Sequence, residues 1–372
     1  ISSINFINMI QFNKNIKKLS PYIPGQPTEE LARNLKIPLN KIIKLASNEN
    51  PYGCSKKLYP LFENLKDSIA RYPDGNGYYL KDSISKFHKI HSDNIILGNG
   101  SNDVIEMVVR AFLNSNDNVV FSEYAFIVYK LAVKSLGIKF KEVKSLEYGH
   151  DICNLIKSID KKTKIVFIAN PNNPTGTYFS NKKLFRLLKS VPENCLILLD
   201  QAYEEYLPAN EIIPLKKWLN SFKNIILMRT FSKAYGLAAF RVGWGAASSE
   251  IIEKINRIRQ PFNVNLFGLH IPRHALTDQS FIKKTVKLNK INIDKVEKFL
   301  SKINITYIPS KANFVTFYHF QSEELNRHFM ENGLIVRPLD SYGLENFLRV
   351  SIGTAKENNF FIKLLKKFLN KK

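Results

Sequence analysis

The sequence predicts an α/β protein, with a large unit on a mostly parallel central sheet between helices and a smaller α+β unit. Three observations carry this. Apolar runs such as Lys164-Ile-Val-Phe-Ile-Ala169 and Cys195-Leu-Ile-Leu-Leu199 are continuous, not alternating, which suits strands covered on both faces. Stretches with helical spacing separate them, as parallel crossovers require. Several of the runs end in a polar cluster, and ligands of open parallel sheets bind beyond the carboxyl ends of the strands.

In chain order, Leu19-Ser-Pro-Tyr-Ile-Pro-Gly25 reads as an extended arm, because its prolines and glycine forbid regular structure, and Thr28 to Leu35 reads as a short helix. A short strand, Ile42 to Ala46, runs into Ser47-Asn-Glu-Asn-Pro-Tyr-Gly53, which is either an ordinary loop or a pocket wall. The turn Arg71 to Gly77 precedes a helix from Tyr78 to Ile90. Asn94-Ile-Ile-Leu97 then leads through Gly98-Asn-Gly-Ser-Asn-Asp103 into Val104, Ile105, Val108, Val109 and Phe112 at helical spacing. Strand, glycine turn and helix leave backbone N–H groups and a positive helix end facing an anion, though such turns are common without one.

Asn118 to Phe121 and Ile138 to Val143 are further strands around a helix from Phe126 to Leu136. The two long apolar runs follow, entering Asn170-Pro-Asn-Asn-Pro-Thr-Gly176 and Asp200-Gln-Ala-Tyr203, and Asn224 to Met228 is the next strand. A helix from Ile251 to Arg259 stops at Gln260 to Asn265, and a long one, Ser280 to Leu300, leads to the smaller unit. There strands Ile305–Ile308, Phe314–Phe317, Leu334–Val336 and Phe347–Ile352 alternate with helices Glu323–Met330 and Phe360–Leu369. The expected division is 45–270 for the large unit, with 1–44 as an arm and 271–372 in the smaller one.

At 372 residues, 44% hydrophobic and 12% aromatic, the chain can bury a sizeable core. The net charge of +23 raises nucleic acid or an anionic membrane as partners. The lysines are scattered among Asn and Ile without a dense basic block, so we read a bias of residue usage, and expect neither partner. Cys54, Cys153 and Cys195 are isolated and odd in number, which suits reduced thiols, and no His or Cys spacing suggests a metal. No apolar run approaches the roughly 18 residues that span a bilayer, and residues 1–15 make a poor secretory leader. A cytoplasmic enzyme fits.

The chain is organised around Arg229-Thr-Phe-Ser-Lys-Ala-Tyr-Gly-Leu-Ala-Ala-Phe-Arg241, where a buried strand end presents one amine to a pocket. A lysine becomes a nucleophile when desolvation and nearby cations destabilise its ammonium, and Arg241 could be that cation while holding a phosphate with Ser232. Basic residues eight apart also recur by chance in a chain with 55 Lys and Arg. The strand ends should bring Asp200, Asn173, Lys233 and the Ser101 turn together. An acid, a lysine and an anion cradle are the parts that hold pyridoxal phosphate: a lysine for its aldehyde, a carboxylate for its ring nitrogen, N–H groups and an arginine for its phosphate. A lone Asp200 would otherwise be read as a helix cap.

These segments, with Leu348-Arg-Val-Ser-Ile-Gly-Thr354, resemble the fold-type I pyridoxal-phosphate aminotransferases in order and over nearly the whole chain, most closely the histidinol-phosphate aminotransferases. The resemblance implies that Lys233 bonds covalently to the cofactor aldehyde and serves as general acid and base, that Asp200 pairs with the ring nitrogen, and that Asn173 and Tyr203 hydrogen-bond its phenolic oxygen. It implies that Ser101, Asn102, Ser232 and Arg241 hold the phosphate, helped by Tyr72 from the partner of a homodimer, and that Phe126 stacks on the ring. It places Tyr22, Asn48, Arg337 and Arg349 on the substrate, with Arg349 on a carboxylate and Tyr22 and Arg337 on the phosphate of histidinol phosphate; 2-oxoglutarate would accept the amine and leave as glutamate. Gln201 and Asn102 stand where many members carry acids, and Tyr124 where proline is frequent. Aromatic amino-acid aminotransferases and threonine-phosphate decarboxylase share these motifs and remain alternatives. A pyridoxal-phosphate-binding transcription regulator is the non-enzyme alternative, disfavoured because no helix-turn-helix segment precedes Tyr22.

Overall fold

The computed structural model describes residues 13–17, 19, 21 and 25–370. The first strand, β1 (Ile43–Lys44), lies outside the main sheet. That sheet has seven strands: β2 (Ile95–Gly98), β3 (Asn118–Ser122), β4 (Lys139–Val143), β5 (Thr163–Ala169), β6 (Leu196–Asp200), β7 (Ile225–Thr230) and β8 (Gly243–Ala246). Their spatial order is β2-β8-β7-β6-β5-β3-β4, and every pair is parallel except the two that β8 makes.

The unbroken apolar runs have a direct cause. Successive side chains of a strand point to opposite faces, and here both faces are covered. Val166, Ile168, Ile197, Leu199 and Leu227 enter one core, while Ile165, Phe167, Leu198, Ile226 and Met228 enter a second on the other side. All ten are buried.

Strand β8 was not expected from the sequence. It is four residues long, contains two glycines and runs against its neighbours, so no apolar run marks it. Gly243 is required there: a Cβ would stand 2.4 Å from the backbone nitrogen of Ser101, so only glycine lets the strand pass the start of the helix Ser101–Phe112. The helix Leu266–Ala275 was likewise unread, since Pro272 lies inside it; Asn265 caps its start by accepting the Gly268 N–H.

The remaining strands are β9 (Tyr307–Ile308), β10 (Phe314–Tyr318), β11 (Leu334–Ile335), β12 (Arg337–Pro338) and β13 (Phe347–Ser351). Four form an antiparallel sheet in the order β12-β13-β10-β9, and β11 pairs with β1 in parallel. A third core, with Phe317, Phe329, Val350 and Phe361, lies under this sheet and takes in Leu45. The backbone of Leu45 bonds to both Ile335 and Ser351, so the chain crosses from this unit into the Ser47 loop at one point. The last helix runs Ala355–Leu369, starting before the expected Phe360 because Thr354 and Glu357 form a capping box at its start.

Candidate active site

The carboxyl ends of β5, β6 and β7 open onto a cavity of about 430 Å³, with Ala169, Asp200 and Thr230 at its edge. Ser101, Asn102, Phe126, Asn173, Tyr203, Ser232, Lys233 and Arg241 also line it. Residues from separate loops of the chain therefore meet where the parallel strands end.

Asp200 is the last residue of β6 and is 6% exposed. One carboxylate oxygen accepts the Ala202 N–H at 3.0 Å, a local cap-like bond. The other accepts the Tyr129 O–H at 2.8 Å, and Tyr129 is fully buried, its ring stacked on Phe167 at 4.8 Å. Burial pushes the Asp200 carboxyl up to about 6, against the pull of these two donors and of Lys233.

Lys233 is half-buried and lines the cavity. Its Nζ donates to the Ser47 carbonyl at 3.0 Å and lies 5.9 Å over the Tyr203 ring. Burial, followed by the positive charge of Arg349, lowers its pKa to about 8; Arg241 acts in the same direction and Glu49 and Asp200 oppose it. Arg241, the cation the sequence offered for this, does contribute, but Arg349 exceeds it.

Ser101 opens the helix Ser101–Phe112. Gly100 before it has φ +81°, and a Cβ there would stand 2.3 Å from Nη2 of Arg241, so the guanidinium is packed on the turn that begins the helix. Cationic side chain and positive helix end share one spot, as an anion cradle requires. Ser232 is held beside it, its N–H donating to Thr230 Oγ1 at 3.0 Å. Phe126 precedes the helix Ile127–Ser135 with its ring at the cavity wall.

Tyr203 is buried, and its hydroxyl accepts from Asn48 Nδ2 at 2.9 Å; burial pushes the phenol up to about 12. The Asn173 carbonyl oxygen accepts from Nη1 of Arg349, whose Nη2 donates to the Ala46 carbonyl at 2.8 Å. Arg337 stands opposite Arg349 in the β12–β13 register, and both are buried. Asn48 and Arg349 therefore touch residues of the cavity wall without lining it.

One expected residue lies elsewhere, and one is outside the described residues. Tyr72 is 82% exposed and stacks on Phe262 at 4.6 Å, beside a separate hollow of about 900 Å³. Tyr22 lies outside the described residues. Sequence reasoning missed Tyr129, Glu49 and Thr230, and the use of the Ser47 carbonyl. Tyr129 carried one signal, a phenol on the buried face of its helix, which needs a polar partner.

Residues 40–365 match the model of the family described as aminotransferase class I and II. The chain belongs to that family. A histidinol-phosphate aminotransferase 1 of Idiomarina loihiensis is 42% identical over 356 residues, covering 95% of this chain and 96% of that one. Among solved structures, the histidinol-phosphate aminotransferase of Clostridium acetobutylicum is 25% identical, covers 89% of this chain and 100% of its own, and superposes with a TM-score of 0.82. The enzyme of that name from Sinorhizobium meliloti, in complex with pyridoxal-5'-phosphate, is 22% identical with coverage of 96% and 98% and a TM-score of 0.86, a likeness of fold.

Class I and II aminotransferases depend on pyridoxal 5'-phosphate, and the cavity fits that group. The donor set supplies a lysine of lowered pKa, a buried carboxylate, and an anion cradle in which a Cβ at position 100 would occupy the space of the Arg241 guanidinium. Among the described residues no three His, Cys, Asp or Glu side chains form a group that could hold a metal, and no helix is long and apolar enough to cross a membrane.

Proposed function

We propose that this aminotransferase moves the amino group of histidinol phosphate to 2-oxoglutarate, in a reduced, cytoplasmic setting. The observation that carries the transfer chemistry is the meeting of Lys233, Asp200 and the Ser101–Arg241 cradle in one cavity. The names of the full-length relatives and the paired, buried arginines of β12 and β13 support the substrate. When bound, pyridoxal phosphate supplies an aldehyde that joins covalently to amines and a protonated ring that withdraws electrons from the substrate α-carbon.

The chain's own groups divide the rest of the work. Lys233, with a pKa near 8, keeps a sizeable free-base fraction at neutral pH, so Nζ can bond to a carbonyl carbon and, once released, take and return a proton. Asp200 holds a proton on the ring nitrogen. Its two donors keep the carboxylate charged in a site where burial alone would neutralise it. Asn173 and Tyr203 hydrogen-bond the phenolic oxygen, Phe126 stacks on the ring, and Ser101, Asn102, Ser232 and Arg241 hold the phosphate. Arg349 grips the carboxylate of the amino-acid partner, its planar fork matching two oxygens. Arg337, Tyr22 and Asn48 receive the phosphorylated substrate.

The same reading includes a homodimer. Ile69, Tyr72 and Phe262 are exposed and line one hollow, an apolar patch of the kind that a partner subunit covers. Tyr72 would reach the phosphate of the partner's cofactor. The 45–270 unit would carry the cofactor, and the unit of 1–44 and 271–372 would close over the substrate.

The test is a single-turnover titration of the loaded enzyme with histidinol phosphate, phenylalanine or threonine phosphate, following cofactor absorbance and carbon dioxide. Histidinol phosphate should convert the cofactor without carbon dioxide release. Conversion by phenylalanine alone, or carbon dioxide from threonine phosphate, would assign the site to one of the alternatives.

A further inference from the structure

A second cavity, of about 810 Å³, lies behind the first. The two share their walls in alternation. Along the end of β6 and the turn after it, Asp200, Ala202 and Tyr203 line the first cavity, while Glu204 and Glu205 line the second. From the end of β7 onward, Thr230, Ser232 and Lys233 face the first, and Arg229, Phe231 and Tyr235 the second. Adjacent residues of an extended chain point to opposite sides, so one pair of strand ends serves both spaces.

The second cavity has the make-up of a small-molecule site, apolar walls with few polar groups. Ile213, Trp244, Leu276 and Ile282 form its sides with Phe231, and all five are buried. At its floor Arg229 is 5% exposed, is ion-paired with Glu204, and lies 3.4 Å from Nδ1 of His88. Its Nε nevertheless makes no hydrogen bond with the described residues, and neither does the buried Oε2 of Glu205. Both atoms are closed to solvent, so the polar groups lie beneath the cavity floor and its accessible wall is apolar. Burial, with the charge of Glu204, pushes the Glu205 carboxyl up to about 8, and burial holds His88 down to about 3, so both are neutral at pH 7. At the mouth stand Lys89, Lys283 and Lys287, none of them in an ion pair with the described residues.

We propose that this cavity is a second small-molecule site, taking a monoanion with a flat apolar body. The body lies between Phe231, Trp244 and Ile282. Its anionic group meets the lysines at the mouth. This site is separate from the transfer chemistry and goes beyond it.

The probe is 8-anilinonaphthalene-1-sulfonate, which has a flat apolar body and one negative charge, titrated into the cofactor-loaded full chain by fluorescence and calorimetry. Saturation at about one equivalent per chain is expected, since a single preformed pocket is filled. Val286→Trp, which fills the mouth, should abolish binding, and Lys283→Glu with Lys287→Glu should weaken it by about tenfold or more. Cofactor absorbance retained in each variant shows that the fold is intact. Equal binding by the wild type and these variants would overturn the proposal, as would a signal seen only before the cofactor is loaded, which would belong to the first cavity. Binding that appears only after removal of residues 1–12 would give the cavity to the chain's own amino-terminal segment and overturn it as well.

Discussion

Tyr129→Phe isolates one hydrogen bond at the centre of the site. The substitution keeps the ring that stacks on Phe167 and removes only the hydroxyl that donates to Asp200. A hydrogen bond to a charged group contributes about 1.5–3 kcal/mol, and because one pKa unit corresponds to about 1.4 kcal/mol, its loss should raise the Asp200 pKa by about one to two units. The sign follows from which form is served: the phenol donates to the carboxylate, so its removal favours the protonated acid. With the carboxyl already at about 6 in the protein without cofactor, the variant's Asp200 would be largely protonated at neutral pH. It would then compete poorly for a ring nitrogen that must itself carry a proton. Equilibrium dialysis should show cofactor affinity falling by about tenfold or more, and the acid limb of kcat/KM should move to higher pH by the same one to two units. Borohydride trapping at Lys233 should persist. Unchanged affinity together with an unchanged acid limb would refute the claim that Tyr129 acts through Asp200 and leave it a packing residue.

Lys233→Ala should abolish turnover and borohydride-stable labelling, and labelling of another lysine would displace the assignment. Glu205 has a folded pKa near 8 against an ordinary value of 4.5, so the folded state binds more protons between these limits and loses stability as pH rises through them. Thermal scans from pH 5 to pH 8 should therefore show a steeper fall in Tm for the wild type than for Glu205→Gln; parallel slopes would deny the shift. Tyr124 has φ +56°, whereas proline is fixed near −65°, so Tyr124→Pro should destabilise the fold by more than about 1 kcal/mol in a denaturant titration, although proline is the residue frequent there in the family.

Residues followed by long-range apolar pattern were legible, and residues whose role depends on a neighbour were not. The strands β5, β6 and β7 could be read because burial on both faces leaves an unbroken apolar run, and the site could be read because parallel strands bring their ends together whatever their distance in sequence. Strand β8 has neither signal: it is antiparallel, and its glycines answer to the approach of Ser101. Tyr124 shows the same limit at one position. Its departure from proline looked like a change in the pocket, but it is also a change of backbone: the residue is left-handed, and its carbonyl accepts from Asn172 Nδ2 at 3.0 Å.

Gln201 shows a second form of that limit. Where many members carry an acid, Gln201 donates from Nε2 to Glu204 at 2.9 Å, and Glu204 carries the ion pair with Arg229. A turn between the two positions makes them neighbours, so the buried guanidinium has its acidic partner at 204 while position 201 supplies an amide to the same carboxylate. Breaking such a pair by removing one side costs about 3–5 kcal/mol, because the other charge is left buried. The charge of the guanidinium near the carboxyl end of β7 is therefore balanced at 204, and Gln201 acts on it only through the Glu204 carboxylate, which the sequence position of an amide does not reveal.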